Sequence, residues 1–253
     1  MNAVSSPTSF HDLHRFELSG MIELGAALRQ LDPAADSMEE AASAIVNYLY
    51  AHLIESESGI RNCVLVRAFK THRFSDLEPE LKEFAIAAAA GSELLNGDTR
   101  CLTMLATAGE RAEWNQRGKS SGHQAIPLLT EEMVQGAPMI LRLIQQMGID
   151  IAHVIGKRSD LMLDSEQKTY NVFHVADALG SPFVPAQDFV RENNVRSVMG
   201  FGGLFPSGEL FAVILFSRVY IPRETAEMFR TIALGVKLAL LPFLGDKTFS
   251  KAS

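Results

Sequence analysis

"MGFGGLFPSGELFAVILFSR", Met199 to Arg218, is the stretch whose reading decides the fold. It holds four glycines, an apolar run and little charge. One reading is a glycine loop that cradles phosphate. A dinucleotide fingerprint has G-x-G-x-x-G between a strand and a helix. Gly200, Phe201 and Gly202 begin that pattern, but the sixth position is Phe205. A Walker loop needs Lys and then Ser or Thr after its last glycine, and Glu209 and Leu210 follow Gly208. The second reading is two strands about a tight turn. Pro206-Ser207-Gly208 is turn chemistry. Val198, Gly200, Gly202 and Leu204 then share one face, with Met199, Phe201, Gly203 and Phe205 on the other. Leu210 to Phe216 is apolar on both faces, as in a central strand covered on both sides. Spacing and context favour the strands. Glycines in a strand leave space over the sheet for a helix, a bulge or a ligand.

Working outward, "PRETAEMFRTIALGVKLALL" reads as a long terminal helix with Pro222 in its first turn. Toward the N-terminus, Ser19 opens a helix through Leu31, ended by Asp32-Pro33. Ser37, with Glu40 three residues on, caps a helix to about Ile54. Strands are expected at Asn62 to Phe69, Arg100 to Ala108 and, shorter, Gly122 to Leu128. A helix from Glu78 stops at Gly91, and one capped by Thr130 is bent or divided at Pro138. Residues 149–187 show no clean period and read as a structured loop, before a short helix near Asp188. The order predicts an α+β domain with a central, mainly antiparallel sheet. Helices gather on one face, and a long irregular connection covers the other. Residues 1–18 are expected as a loosely held arm, 19–245 as a single domain and 246–253 as a tail.

The chain has 253 residues, 47% of them apolar, enough for a sizeable core. Its formal net charge of −7 offers no basic surplus for nucleic acid. Thr231 to Gly245 is the most apolar long stretch, but it is too short to span a bilayer and carries Lys237 and Pro242. The first twenty residues lack the pattern of a signal peptide. Two cysteines, Cys63 and Cys101, lie far apart and outside any C-x-x-C pair, so a disulfide scaffold and a zinc site are not expected. The expectation is a cytoplasmic protein without membrane insertion.

The segment Val195 to Leu240 resembles the closing part of a GAF domain. The matching positions are Gly208, Leu210, Ala212 and Val213, then Pro222, Glu224 and Thr225. The helix Glu39 to Ile54 followed by "GIRNCVLVRAFK" is similar to the entry helix and first strand of that family. The resemblance covers about residues 19–242. More narrowly, it points to input regions of bacterial sensor proteins ahead of histidine kinase or diguanylate cyclase modules. The chain departs from the named subsets. It lacks the Asn-Lys-Phe-Asp-Glu signature of cyclic-nucleotide binders, the Cys-His pair of bilin binders and the clustered cysteines of the methionine-sulfoxide reductases.

The resemblance implies a ligand between the sheet and the connection at about residues 106–195. The candidates there are Trp114, His123, Tyr170, Phe173, His174 and Phe183, with Arg67 and Phe201 from the strands. Aromatic side chains with a few polar groups suit a small-molecule pocket. They equally suit a filled core beneath a loop. Arg67 interrupts an apolar strand, so its charge must reach solvent, a carboxylate or an anionic ligand. The ligand and any cofactor are unknown, and no metal is indicated. The terminal helix carries apolar residues past one face, including Leu234, Leu238 and Leu241, which suggests a homodimer through it and the Gly20 to Leu31 helix. A histidine kinase or cyclase on another chain is the expected listener. The rival readings are a redox or other small-molecule enzyme using the same pocket, the redox version through Cys63 and Cys101, and a pure interaction or dimerisation module.

Overall fold

A computed structural model describes residues 9–31, 34–120, 122–135, 138–146, 150–156, 171–245 and 247–249. Its sheet has six strands: β1 (Cys63–Arg73), β2 (Arg100–Gly109), β3 (Ala125–Pro127), β4 (Asn171–Val175), β5 (Ser197–Leu204) and β6 (Leu210–Ser217). They lie in the order β3-β2-β1-β6-β5-β4, and every pairing is antiparallel. The α+β architecture with a central antiparallel sheet is as the sequence leads one to expect.

The quoted stretch is β5, a turn and β6. Phe205 N donates to Glu209 O and Gly208 N donates to Phe205 O, both at 2.9 Å. Gly208 has φ +85°, the left-handed conformation that closes this hairpin and that glycine adopts without strain. β6 is central, paired with β1 on one side and β5 on the other, and all eight of its residues are buried. The alternation holds. Met199, Phe201 and Phe205 join one core cluster, and Val198 and Leu204 pack with the other.

One face is covered by three helices: α1 (Leu18–Arg29), α2 (Met38–His52) and α8 (Arg223–Leu240). Ser37 caps α2, its Oγ accepting from Glu40 N at 3.2 Å. The Glu40 carboxylate reaches back one residue further than a capping box requires, to Asp36 N. Phe16 and Phe201 both stack on Phe229, which fastens α8 to β5 and to the chain entering α1. Gly25 and Gly235 let α1 and α8 come close. A Cβ at Gly235 would lie 3.6 Å from the Gly25 carbonyl oxygen. The opposite face is covered by α4 (Glu131–Gln135), α5 (Pro138–Gln146), α6 (Ile151–Val154), α7 (Gln187–Glu192) and the turns between them. The helix α3 (Pro79–Ala88) packs at the β3 edge, around Leu81, Ala85 and Ala125.

Three features depart from the sequence expectation. The loop expected at 149–187 contains α6 and β4. Strand β4 escapes detection because it is five residues long, too few for Phe173 and Val175 toward one layer and His174 toward the other to establish a period. Residues 11–16 are not loose. His11 bridges to Leu53, Leu13 is buried, and Leu13 N donates to Asn62 Oδ1 at 2.8 Å. Residues 247–249 are likewise tied down. The carbonyls of Lys247 and Thr248 accept from Met38 N and Glu39 N at the start of α2, and Phe249 stacks on His72 at 5.2 Å.

His11, His72 and His174 are each held below the ordinary histidine pKa, chiefly by burial. The effect is greatest at His72, which also faces the positive charge of Lys70 and whose two ring nitrogens lack partners. Folded, these rings take up protons only at lower pH than in the unfolded chain, where they do so near pH 6.5. Their contribution to stability is complete above that pH and is lost as pH falls below it. The urea midpoint should therefore drop between pH 7.5 and 5, and His72→Leu should flatten the drop.

Candidate functional site

Between the sheet and the connection lies a cavity of about 690 Å³. That is the size of sites that take small organic ligands. Its floor is the sheet. Arg67 stands in the middle of β1, with Thr107 of β2 and Ile214 of β6 opposite it in register. Leu65, Phe69, Leu102 and Phe216 complete the apolar floor.

The walls are irregular segments pinned by side-chain amides. Where β2 ends, Asn115 accepts from Gly109 N at 2.9 Å and donates to the carbonyls of Gly109 and Arg111. Thr107 Oγ1 donates to Trp114 O at 2.7 Å. These bonds fold the chain back so that the Trp114 ring stands over Gly109. A Cβ there would come within 3.0 Å of Trp114 and Leu65, so only glycine fits without a shift. Phe189 lies edge-on to both Trp114 and Phe216, at 5.5 and 5.3 Å. Gln187 donates to the carbonyls of Ala178 and Val184 and accepts from Gly180 N, which holds the wall formed by Val184, Pro185 and Ala186. Gln124 does the same for the turn before β3, donating to Gly118 O and Ser120 O. Arg117 ties that turn to α2 and α3 through Glu39 and Glu78.

Of the residues singled out in the sequence, Arg67, Trp114 and His123 come together here. Phe183 sits behind the wall, with the Arg142 guanidinium 4.9 Å from its ring centre. Phe173 faces the same layer but is fully buried in the core. His174 and Phe201 are on the other face of the sheet. The ring of His174 meets Ile221 O at 3.0 Å, and Phe201 packs on Phe229. Strand alternation is the reason: neighbours in sequence point to opposite layers. Tyr170 lies outside the described residues. Gly109, Asn115, Gln187 and Phe189 were missed. Each acts through a contact with a segment remote from it or through backbone geometry, and no spacing motif announces that.

Arg67 dominates the electrostatics. Its Nε is buried without a hydrogen-bond partner, and no ion pair reaches it among the described residues. Burial alone pulls its pKa down to about 10. His123 at the mouth is lowered by desolvation and by the charge of Arg67. The cysteines do not meet. Cys101 pairs with His72, nine residues along β1 from Cys63, which separates them by about 30 Å, far beyond disulfide reach. Burial pushes both thiols up, Cys101 to about 12. The redox reading of the two cysteines therefore has no geometric basis.

No family model matches the sequence, and no curated protein matches it. Among solved structures, the chain is similar to the GAF domain of a phosphoenolpyruvate-protein phosphotransferase from Coxiella burnetii. The TM-score is 0.43 and the identity 12%, over 87% of this chain and 91% of that one. This likeness says nothing of a ligand or a partner. No helix among the described residues is long and apolar enough to cross a membrane.

A lone guanidinium in an apolar wall is a standing penalty in the empty protein. Arg67→Met should raise the stability of the ligand-free chain by about 1–3 kcal/mol, read from the shift of its urea midpoint.

Proposed function

We propose that this chain is a regulatory domain that takes a small organic ligand into the cavity and reports its occupancy through α1 and α8. The observation that carries the reading is the cavity itself. It is bounded below by a rigid sheet, and its walls are irregular segments held by a few amide side chains. Arg67, Trp114 and His123 are the ligand-contacting residues in this reading, and Phe189 and Phe216 extend the aromatic wall. Signalling requires that the ligand favour one arrangement of the chain over another. Strand β6 offers a direct route. Its residues Ile214 and Phe216 line the floor, while Val213 and Leu215 on its opposite side pack in the α8 layer with Met199 and Phe201 of the neighbouring β5.

The output surface is formed by α1 and α8. Leu18 and Ile22 on α1, and Leu234 and Leu238 on α8, are exposed in i, i+4 pairs on adjacent helices. Exposed apolar residues so placed suit a second copy of the chain, with a histidine kinase or cyclase on another chain as the listener.

Native mass spectrometry of the protein purified from cells should show a retained small molecule, released on denaturation. Ala186→Trp places a ring in the cavity wall at an exposed position and should abolish retention while leaving the circular dichroism spectrum unchanged. Sedimentation velocity should give a dimer, and the double variant Ile22→Glu, Leu238→Glu should give a folded monomer.

A further inference from the structure

A buried arginine is ordinarily met by a carboxylate. Arg117 shows the ordinary case, between Glu39 and Glu78. Arg67 is half-buried with its Nε fully buried, flanked by Leu65 and Phe69 along its strand and by Thr107 and Ile214 across it, and has no such partner among the described residues. Among the described residues, the other charged side chains lining the cavity are Glu113 and Lys119, both exposed and of opposite sign. The proton of His123 is disfavoured by burial and by Arg67. Among the described residues the interior of the cavity thus carries one positive charge on a mainly apolar floor.

One charge selects among anions. A phosphate monoester carries about −1.5 to −2 at neutral pH and leaves most of a charge uncompensated in this setting. A carboxylate carries one negative charge and matches the planar fork of a guanidinium through two parallel hydrogen bonds. Among the described residues the rest of the lining is mainly apolar and aromatic, with Thr107, Gln116 and Ser120 adding a few polar groups, so the body of the ligand is mainly apolar. We infer that the cavity takes an organic monoanion, a carboxylate on an apolar body, with the head group on Arg67 and the body against Leu65, Ile214, Phe216 and Trp114. The inference rests on the cavity being the ligand site proposed above, and it names the chemical class that site selects. The unpartnered cation is then one half of a pair, completed by the ligand.

The chain has a single tryptophan, Trp114, and it lines the cavity, so its emission reads occupancy directly. The full chain is titrated with octanoate, with the neutral isostere octanamide and with octyl phosphate, all below their micellar range. Octanoate should change Trp114 emission saturably and bind at least about tenfold more tightly than octanamide, the range of a charge-assisted hydrogen bond. Arg67→Met should lose the preference for octanoate over octanamide. Arg67→Lys, which keeps the charge without the fork, should retain part of it. Equal binding of octanoate and octanamide by the parent overturns the inference and leaves the cavity standing as a ligand site. Tighter binding of octyl phosphate than of octanoate overturns the choice of a monoanion. If none of the three changes Trp114 emission, the cavity reading falls with the inference.

Discussion

The pairing of β1 with β6 is the constraint on which the rest of the structure depends. It joins Cys63 to Ser217 and Lys70 to Phe211 across most of the chain length. Residues so distant in sequence come together only if the paired strands bury enough apolar surface to offset the entropy of closing that loop. Both strands meet the requirement by being buried on two faces. Val66, Ala68, Val213 and Leu215 enter the helix layer, while Leu65, Phe69, Ala212 and Ile214 enter the other. The hairpin β5–β6 and the pairs of β2 with β1 and β3 then extend the sheet on either side by local connections.

The two layers over this sheet are built by different means. Helices α1, α2 and α8 satisfy their own backbone groups and offer apolar stripes, so their layer is continuous. The other layer contains short helices joined by turns whose backbone groups need outside partners. Asn115, Gln124 and Gln187 supply them, each amide meeting two or three backbone groups. A layer held at such points can arch over the sheet instead of lying flat on it. The cavity is the space beneath that arch, and Gly109 keeps room for Trp114 at its edge.

Much of this was legible in the chain. Periodicity located α2, α8, β2, β5 and β6 to within a few residues, and Pro138 marked the break between α4 and α5. Arg67 stood out because a charge in an apolar strand demands an explanation. Its answer, a partnerless position inside a cavity, required the opposite layer to be in place. Strand β4 was not legible, because its five residues are too few to establish an alternation. His174 and Phe173 illustrate the same limit. Adjacent in sequence, they belong to different layers, and only the register with Met199 and Gly200 assigns them.

The amino-acid sequence by itself determined that Met199 to Arg218 is a strand, a turn and a central strand. Alternation and turn chemistry are local properties, and the missing lysine and misplaced glycines depart from both phosphate-loop motifs. It also determined that one face of the sheet would carry long amphipathic helices. The tertiary structure alone decided that Arg67, Trp114 and His123 converge, that Phe201 and His174 do not, and that Cys63 and Cys101 stand at opposite ends of neighbouring strands. These are matters of register between segments far apart in the chain. Register is set by which apolar faces can be buried together, and no local pattern records it.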